Sequence, residues 1–149
     1  MRAARPERVN AVVIYESLTG NTRTAAHLIG EHLEVAGMPT TVCPVIDIDY
    51  QALHEAELVV VGSWTDGLFI IGQRPGRAGR LRKLPVITGK KAVVYCTYAL
   101  DPGKTLDKLS AIVADRGGDV LGGLAIRRDN LTDGSHEFVE RLLGALEAS

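Results

Sequence analysis

The chain has 149 residues, 46% hydrophobic and 23% charged, with a formal net charge of −1. That suffices for one domain with a proper core and excludes the sparsely apolar, highly charged class of disordered chains. No apolar run approaches the roughly 20 residues of a membrane helix, and no signal-type apolar region follows the basic start, so a cytoplasmic protein without stable membrane insertion is expected.

Residues 1–8 read as a mobile N-terminal extension and 9–149 as one domain. Val9–Tyr15 is apolar at nearly every position, as for a parallel strand buried on both faces. A helix is predicted from about Thr22 to Ala36, with Ala25, Leu28, Ile29, Leu33 and Ala36 on one face, then Gly37 and Pro39 as stop signals. Thr40–Val45 is a short strand whose Pro44 suits an edge. A brief helix over Asp49–Ala56 leads to the β-branched run Leu58–Ser63, a second central strand. Trp64–Phe69 leaves it as a loop, continued by Gln73–Arg80, with at most a short helix before Pro85. Lys91–Cys96 is the fourth strand, Thr97–Gly103 a loop and Lys104–Arg116 a helix. Val120–Ile126 is the fifth strand, weakened by Gly122 and Gly123. A last helix, capped by Thr132 or Asp133, runs to about Glu147 and buries Phe138, Val139, Leu142, Leu143 and Leu146. Strands alternating with helices define an α/β fold: one doubly wound, five-stranded parallel sheet.

In such sheets ligands bind beyond the carboxyl ends of the strands, where three loops converge. The first, Ser17-Leu18-Thr19-Gly20-Asn21-Thr22, joins a strand to a helix N-terminus. Unpaired N–H groups, the helix dipole, three hydroxyls and the Asn21 amide together make a phosphate cradle. The other two loops carry Trp64, Phe69 and Tyr98 from a chain with only seven aromatic residues. A phosphate site beside Trp64 and Tyr98 points to a phosphorylated planar heteroaromatic. An aromatic at a strand end taken alone is more simply a plug of the sheet.

With these residues the chain resembles the flavodoxins, small FMN-binding electron carriers with strand order 2-1-3-4-5. Ser17–Thr22 matches their phosphate signature [T/S]-x-T-G-x-T, and the lack of an insertion in the last strand is similar to the short-chain type. The resemblance implies FMN as cofactor. The Ser17, Thr19 and Thr22 hydroxyls, with backbone N–H groups from Leu18 through Gly20 and Asn21 to Thr22, would bind its phosphate. Within Ser63-Trp64-Thr65-Asp66-Gly67, Trp64 would stack on the ring and the backbone would meet its N5 edge. Within Thr97-Tyr98-Ala99-Leu100-Asp101, Tyr98 would stack on the other face and the backbone would meet the pyrimidine end. No side chain is expected to act as acid, base or nucleophile. The implied partners are redox proteins, a reductase and an acceptor. An alternative is an FMN-dependent oxidoreductase of the same fold acting on a quinone or porphyrinogen; a third is an FMN-binding interaction module.

Two features depart from that family. Residues 67–100 contain Arg74, Arg77, Arg80, Arg82, Lys83, Lys90 and Lys91 and no acid, whereas the remainder carries ten basic and eighteen acidic residues. A solvated loop and a partner-facing surface are equally good accounts of that window. As a surface it would steer acidic partners, and positive charge near the ring would ease reduction to an anionic flavin. The second departure is Thr65, beside the Trp where flavodoxins commonly have a turn-tolerant residue. Either Asp66-Gly67 turns one step later, or the one-electron-reduced flavin is poorly stabilised; the second is the expectation. The remaining patterns are weaker. The strand ends lack the acids of a phosphoryl-receiver domain, and the four histidines form no metal set. Cys43 and Cys96 read as free buried thiols, and the Arg-rich loop lacks the interleaved aromatics of a nucleic-acid platform.

Overall fold

Ala11–Tyr15 (β1) is buried at every position because the strand has a partner on each side and helices on both faces. The computed structural model describes residues 9–67 and 72–148 and places β1 between Thr40–Pro44 (β2) and Leu58–Asp66 (β3). Beyond β3 lie Lys91–Tyr98 (β5) and Asp119–Arg127 (β6), all parallel, giving the order β2-β1-β3-β5-β6. This is the expected doubly wound sheet, with Pro44 on an edge strand as predicted. The sheet also has a sixth member. Arg74–Pro75 (β4) pairs antiparallel with Thr65 and Asp66. With Trp64 paired to Thr97 of β5 and the next two residues to β4, β3 runs on through Trp64, Thr65 and Asp66, which the local pattern assigned to a loop. Their partner strand returns from the Gly/Arg segment, a pairing that no local periodicity reports.

Alternation along the strands builds two cores. Val13, Tyr15, Leu58, Val60 and Tyr95 pack against Asn21–Val35 (α1) and Leu131–Ala148 (α5). Val12, Ile14, Val59, Val61 and Val94 pack against Tyr50–Glu55 (α2), Ala78–Leu81 (α3) and Thr105–Asp115 (α4). α1 ends in a Schellman motif: Met38 N–H donates to Leu33 O at 3.0 Å and Gly37, at φ +87°, to Glu34 O at 2.9 Å. Of its predicted face, Leu28 is half-buried and Ala36 exposed. Asp49, read as part of a brief helix, N-caps α2 through Ala52 N–H at 3.0 Å. Thr132 and Asp133 are not caps of α5, which begins one residue earlier; both lie in its first turn. Residues 1–8 and Phe69 lie outside the described residues.

Candidate functional site

The parallel order brings the carboxyl ends of β1, β3 and β5 to one edge, and the chain reverses direction across the sheet between β1 and β3. The loop after β1 starts at Glu16, passes Ser17–Gly20 and enters α1 at Asn21. Gly20 sits at φ +99° in the N-cap position with open space where a side chain would begin. Its N–H donates to Ser17 Oγ at 3.1 Å, which closes the loop. Two bonds then fix the first turn of α1 to β5. The Thr22 and Thr97 hydroxyls are 2.8 Å apart, and Tyr95 Oη donates to Thr22 O at 2.9 Å. Tyr95 reaches it by lying across Gly62, where a Cβ would stand 2.0 Å from the phenol ring.

The loop end opens into a slot of about 160 Å³ lined by Leu18, Thr19, Asn21, Trp64, Thr65, Thr97, Tyr98, Ala99 and Arg128. The structure thus joins the phosphate loop and both aromatics in one cleft. Trp64 is half-buried and seated on Gly76, whose Cβ would meet the indole at 2.0 Å. Gly76 N–H donates to Trp64 O at 2.9 Å, and Ser63 Oγ donates to Gly76 O at 3.0 Å.

Several predicted residues lie differently. The Thr22 hydroxyl is buried and shared with Thr97 rather than turned to the cleft. Ser63 is fully buried and spends its hydroxyl on Gly76. Leu100, at 83% exposed, and Asp101 lie outside the lining; Asp101 Oδ1 accepts from Gly103 N–H at 3.0 Å. Asp66 accepts from Gly67 N–H at 3.0 Å and pairs with Arg74 at 3.5 Å. Gly67 has φ +96°, whereas Thr65 has no positive φ, so the turn falls two residues after Thr65. A turn carried by Asp66-Gly67 is the first of the two alternatives posed for that position. Thr65 Oγ1 is buried without a hydrogen-bond partner of ordinary geometry and makes a weaker contact with the Cys96 thiol. Burial pushes that thiol up to about 12, against the opposing pull of Thr65. Cys43 and Cys96 are both free and buried, as expected.

Sequence reasoning missed two charged residues. Among the described residues Arg128 is the one charged residue of the cleft lining; its backbone N–H donates to Tyr98 O at 2.8 Å. Nothing in the loop after β6 marks it. Glu16 is 3% exposed, and its Oε1 accepts from Arg77 at 2.8 Å and Arg80 at 3.0 Å. Arg77 also sits 5.5 Å from the Trp64 ring centroid. The signal, a carboxylate before the loop facing an acid-free basic window, was present but had no partner assigned to it.

A doubly wound sheet whose switch-point cleft combines a hydroxyl-rich helix start with two aromatics defines a mononucleotide-binding α/β protein. A family model described as a flavodoxin domain matches residues 12–110, about two thirds of the chain. The chain belongs to the flavodoxin family, and its cofactor is FMN. Solved structures agree on the fold. A flavodoxin from the domain Archaea is 20% identical with TM-score 0.62, covering 90% of this chain and 99% of that one. A point mutant of the flavodoxin from Pseudomonas aeruginosa is 15% identical with TM-score 0.72, covering 93% and 99%. Rubredoxin oxygen:oxidoreductase from Desulfovibrio gigas is 18% identical with TM-score 0.65, covering 92% of this chain and 37% of that one. No curated protein matches the chain. The uninterrupted β6 agrees with the short-chain type. The residues present fit FMN, since donor-rich loop and aromatic pair open into the same slot.

Proposed function

We propose that the chain is an electron carrier that holds one noncovalent FMN and passes single electrons between redox protein partners in the cytoplasm. The observation that carries this reading is the cleft: Trp64 and Tyr98 share a slot of about 160 Å³ with Thr19 and Asn21. Among the described residues no helix is long and apolar enough to cross a membrane.

Bound FMN supplies the reversible one-electron chemistry. The chain binds and orients it. Thr19, Asn21 and the N–H groups of the Leu18–Thr22 segment other than that of Gly20 would hold the phosphate at the positive end of α1, while Ser17, which accepts from Gly20 N–H, shapes the loop and Thr22 anchors it to Thr97. Trp64 and Tyr98 would stack on the ring; the backbone of Trp64–Gly67 would meet one edge and that of Thr97–Ala99 the other, with Ser63 fixing the Trp64 strand. The partners are a reductase and an acceptor with acidic docking surfaces. The basic window also favours a second reading, an oxidoreductase taking an anionic quinone- or porphyrinogen-type substrate.

Stopped-flow reduction of the FMN-loaded protein separates the two. Reduction through a flavodoxin reductase, with no direct turnover of NAD(P)H, quinone or porphyrinogen, is expected. Direct multiple turnover of any of these would overturn the carrier reading. A purified protein that neither carries nor takes up FMN would overturn both.

A further inference from the structure

Apart from the cofactor cleft, a groove of about 800 Å³ lies between the α3 segment and α4. Arg74, Arg77, Arg82, Lys108 and Arg116 line it, against the carboxylates Asp66 and Asp115. Several of these cations are held in place by the backbone. Arg116 Nε donates to Leu84 O at 2.6 Å, and Lys108 Nζ to Gln73 O at 2.8 Å, so both are positioned without being neutralised. Arg77 is fixed by Glu16, and Arg74 is paired with Asp66. Among the described residues Arg82 has no ion-pair partner. Even with the buried Glu16 counted, positive charge prevails, so the groove attracts anions.

The groove also shares a wall with the cofactor cleft. Trp64 lines the cleft, Arg77 lines the groove, and the guanidinium carbon of Arg77 stands 5.5 Å from the indole centroid. Whatever occupies the groove is separated from the cleft by one Arg–Trp pair. We infer that this groove is the docking site for the acidic surface of a redox protein partner, delivered to the Trp64 side of the cofactor. The inference rests on the carrier reading above and adds the place and chemistry of docking.

Carboxylates of a protein surface fit better than a nucleotide. Among the described residues the lining contains no aromatic ring on which a base could stack, and its apolar part is Pro75, Ala78, Ala111 and Ile112. The cations are dispersed over β4, the loop before α3, the end of α3 and the length of α4, rather than gathered on one phosphate-sized point. Arginine forks match carboxylates in pairs, as an acidic patch presents them.

The test uses FMN-loaded, full-length protein and a fluorescein-labelled polyglutamate peptide, followed by anisotropy at low salt, with ATP as the competing phosphate probe. Arg82→Glu is compared with Arg141→Glu, the same charge change on α5 at the opposite face of the sheet. The peptide is expected to bind, to weaken steeply as salt is added, and to lose about tenfold in affinity with Arg82→Glu but less than about twofold with Arg141→Glu. Failure of the peptide to bind, or equal losses for the two variants, would overturn the inference. Binding of ATP more tightly than the peptide would overturn it in favour of a nucleotide. The flavin spectrum and melting temperature of each sample separate the readings: lost peptide with retained flavin reports on the groove, and absent flavin counts against the carrier.

Discussion

Glu16, 3% exposed at the end of β1, accepts hydrogen bonds on one oxygen from Arg77 at 2.8 Å and from Arg80 at 3.0 Å. Arg77 adopts φ +47°, a left-handed conformation that costs about 1–3 kcal/mol in a non-glycine residue, so the ion pair holds a strained backbone in place. The two sides of this triad are not energetically equivalent. The arginine side chains are 41% and 47% exposed and can return to water, whereas Glu16 cannot. Removing both arginines (Arg77→Met with Arg80→Met) should therefore cost about 3–5 kcal/mol, as for a buried charge left alone. Glu16→Gln should cost about 1–2 kcal/mol. Urea denaturation measures both; equal costs would refute the asymmetry.

Gly76 is the seat of Trp64. A methyl group there would stand 2.0 Å from the indole, and the ring would have to leave its position. Gly76→Ala should lower FMN affinity by about tenfold, the value of a lost aromatic contact of about 1.4 kcal/mol. Fluorescence quenching on FMN titration reads the affinity, and the Trp64 emission of the apoprotein should shift red.

The Thr22–Thr97 hydroxyl pair, 2.8 Å apart, ties the phosphate loop to β5. Thr97→Val keeps the shape and leaves Thr22 unpaired, which should cost about 1–3 kcal/mol of stability. Thr97→Ser restores the donor and should recover most of it. An unchanged urea midpoint for Thr97→Val would show that the pair contributes nothing.

Burial keeps the Cys96 thiol protonated up to about 12, well above its ordinary value near 9. Between those values the native state binds a proton that the unfolded chain has released. This contribution to stability is complete below pH 9 and is lost as pH rises toward 12. The slope attributable to Cys96 is at most about 1.4 kcal/mol per pH unit. Cys43 and Tyr95 are raised in the same direction, also chiefly by burial. Urea midpoints above about pH 9 should fall less steeply for Cys96→Ala than for the unaltered protein. Identical slopes would contradict the assignment.

Among the described residues Arg128 brings the one cationic side chain into the cleft lining, and the basic segment lies beyond Trp64. Positive charge favours the anionic, fully reduced flavin, so its couple should be less negative than in a flavodoxin with an acidic rim. Arg128→Gln should make it more negative, by an amount that shrinks as salt is added. Potentiometric titration at low and high ionic strength checks both statements. A potential indifferent to Arg128 would remove this residue from the account.

The sequence by itself determined the elements and the phosphate loop, because these depend on local physics. Apolar runs such as Val12–Ile14 and Val59–Val61 must be buried on both faces, and Gly37 stops α1 wherever the helix packs. The hydroxyl loop before α1 was legible for the same reason: a helix N-terminus binds anions independently of its surroundings. Tertiary structure decided what long-range pairing controls. Trp64 remained in the strand by pairing with Thr97 of β5, Thr65 and Asp66 because β4 came back to meet them, and Ser63 and Thr22 turned their hydroxyls to Gly76 and Thr97. Glu16 found Arg77 and Arg80 more than sixty positions along the chain, and Arg128 reached the cleft from beyond β6. Burial of a charge and the juxtaposition of two loops are properties of the closed sheet, and no window of residues contains them.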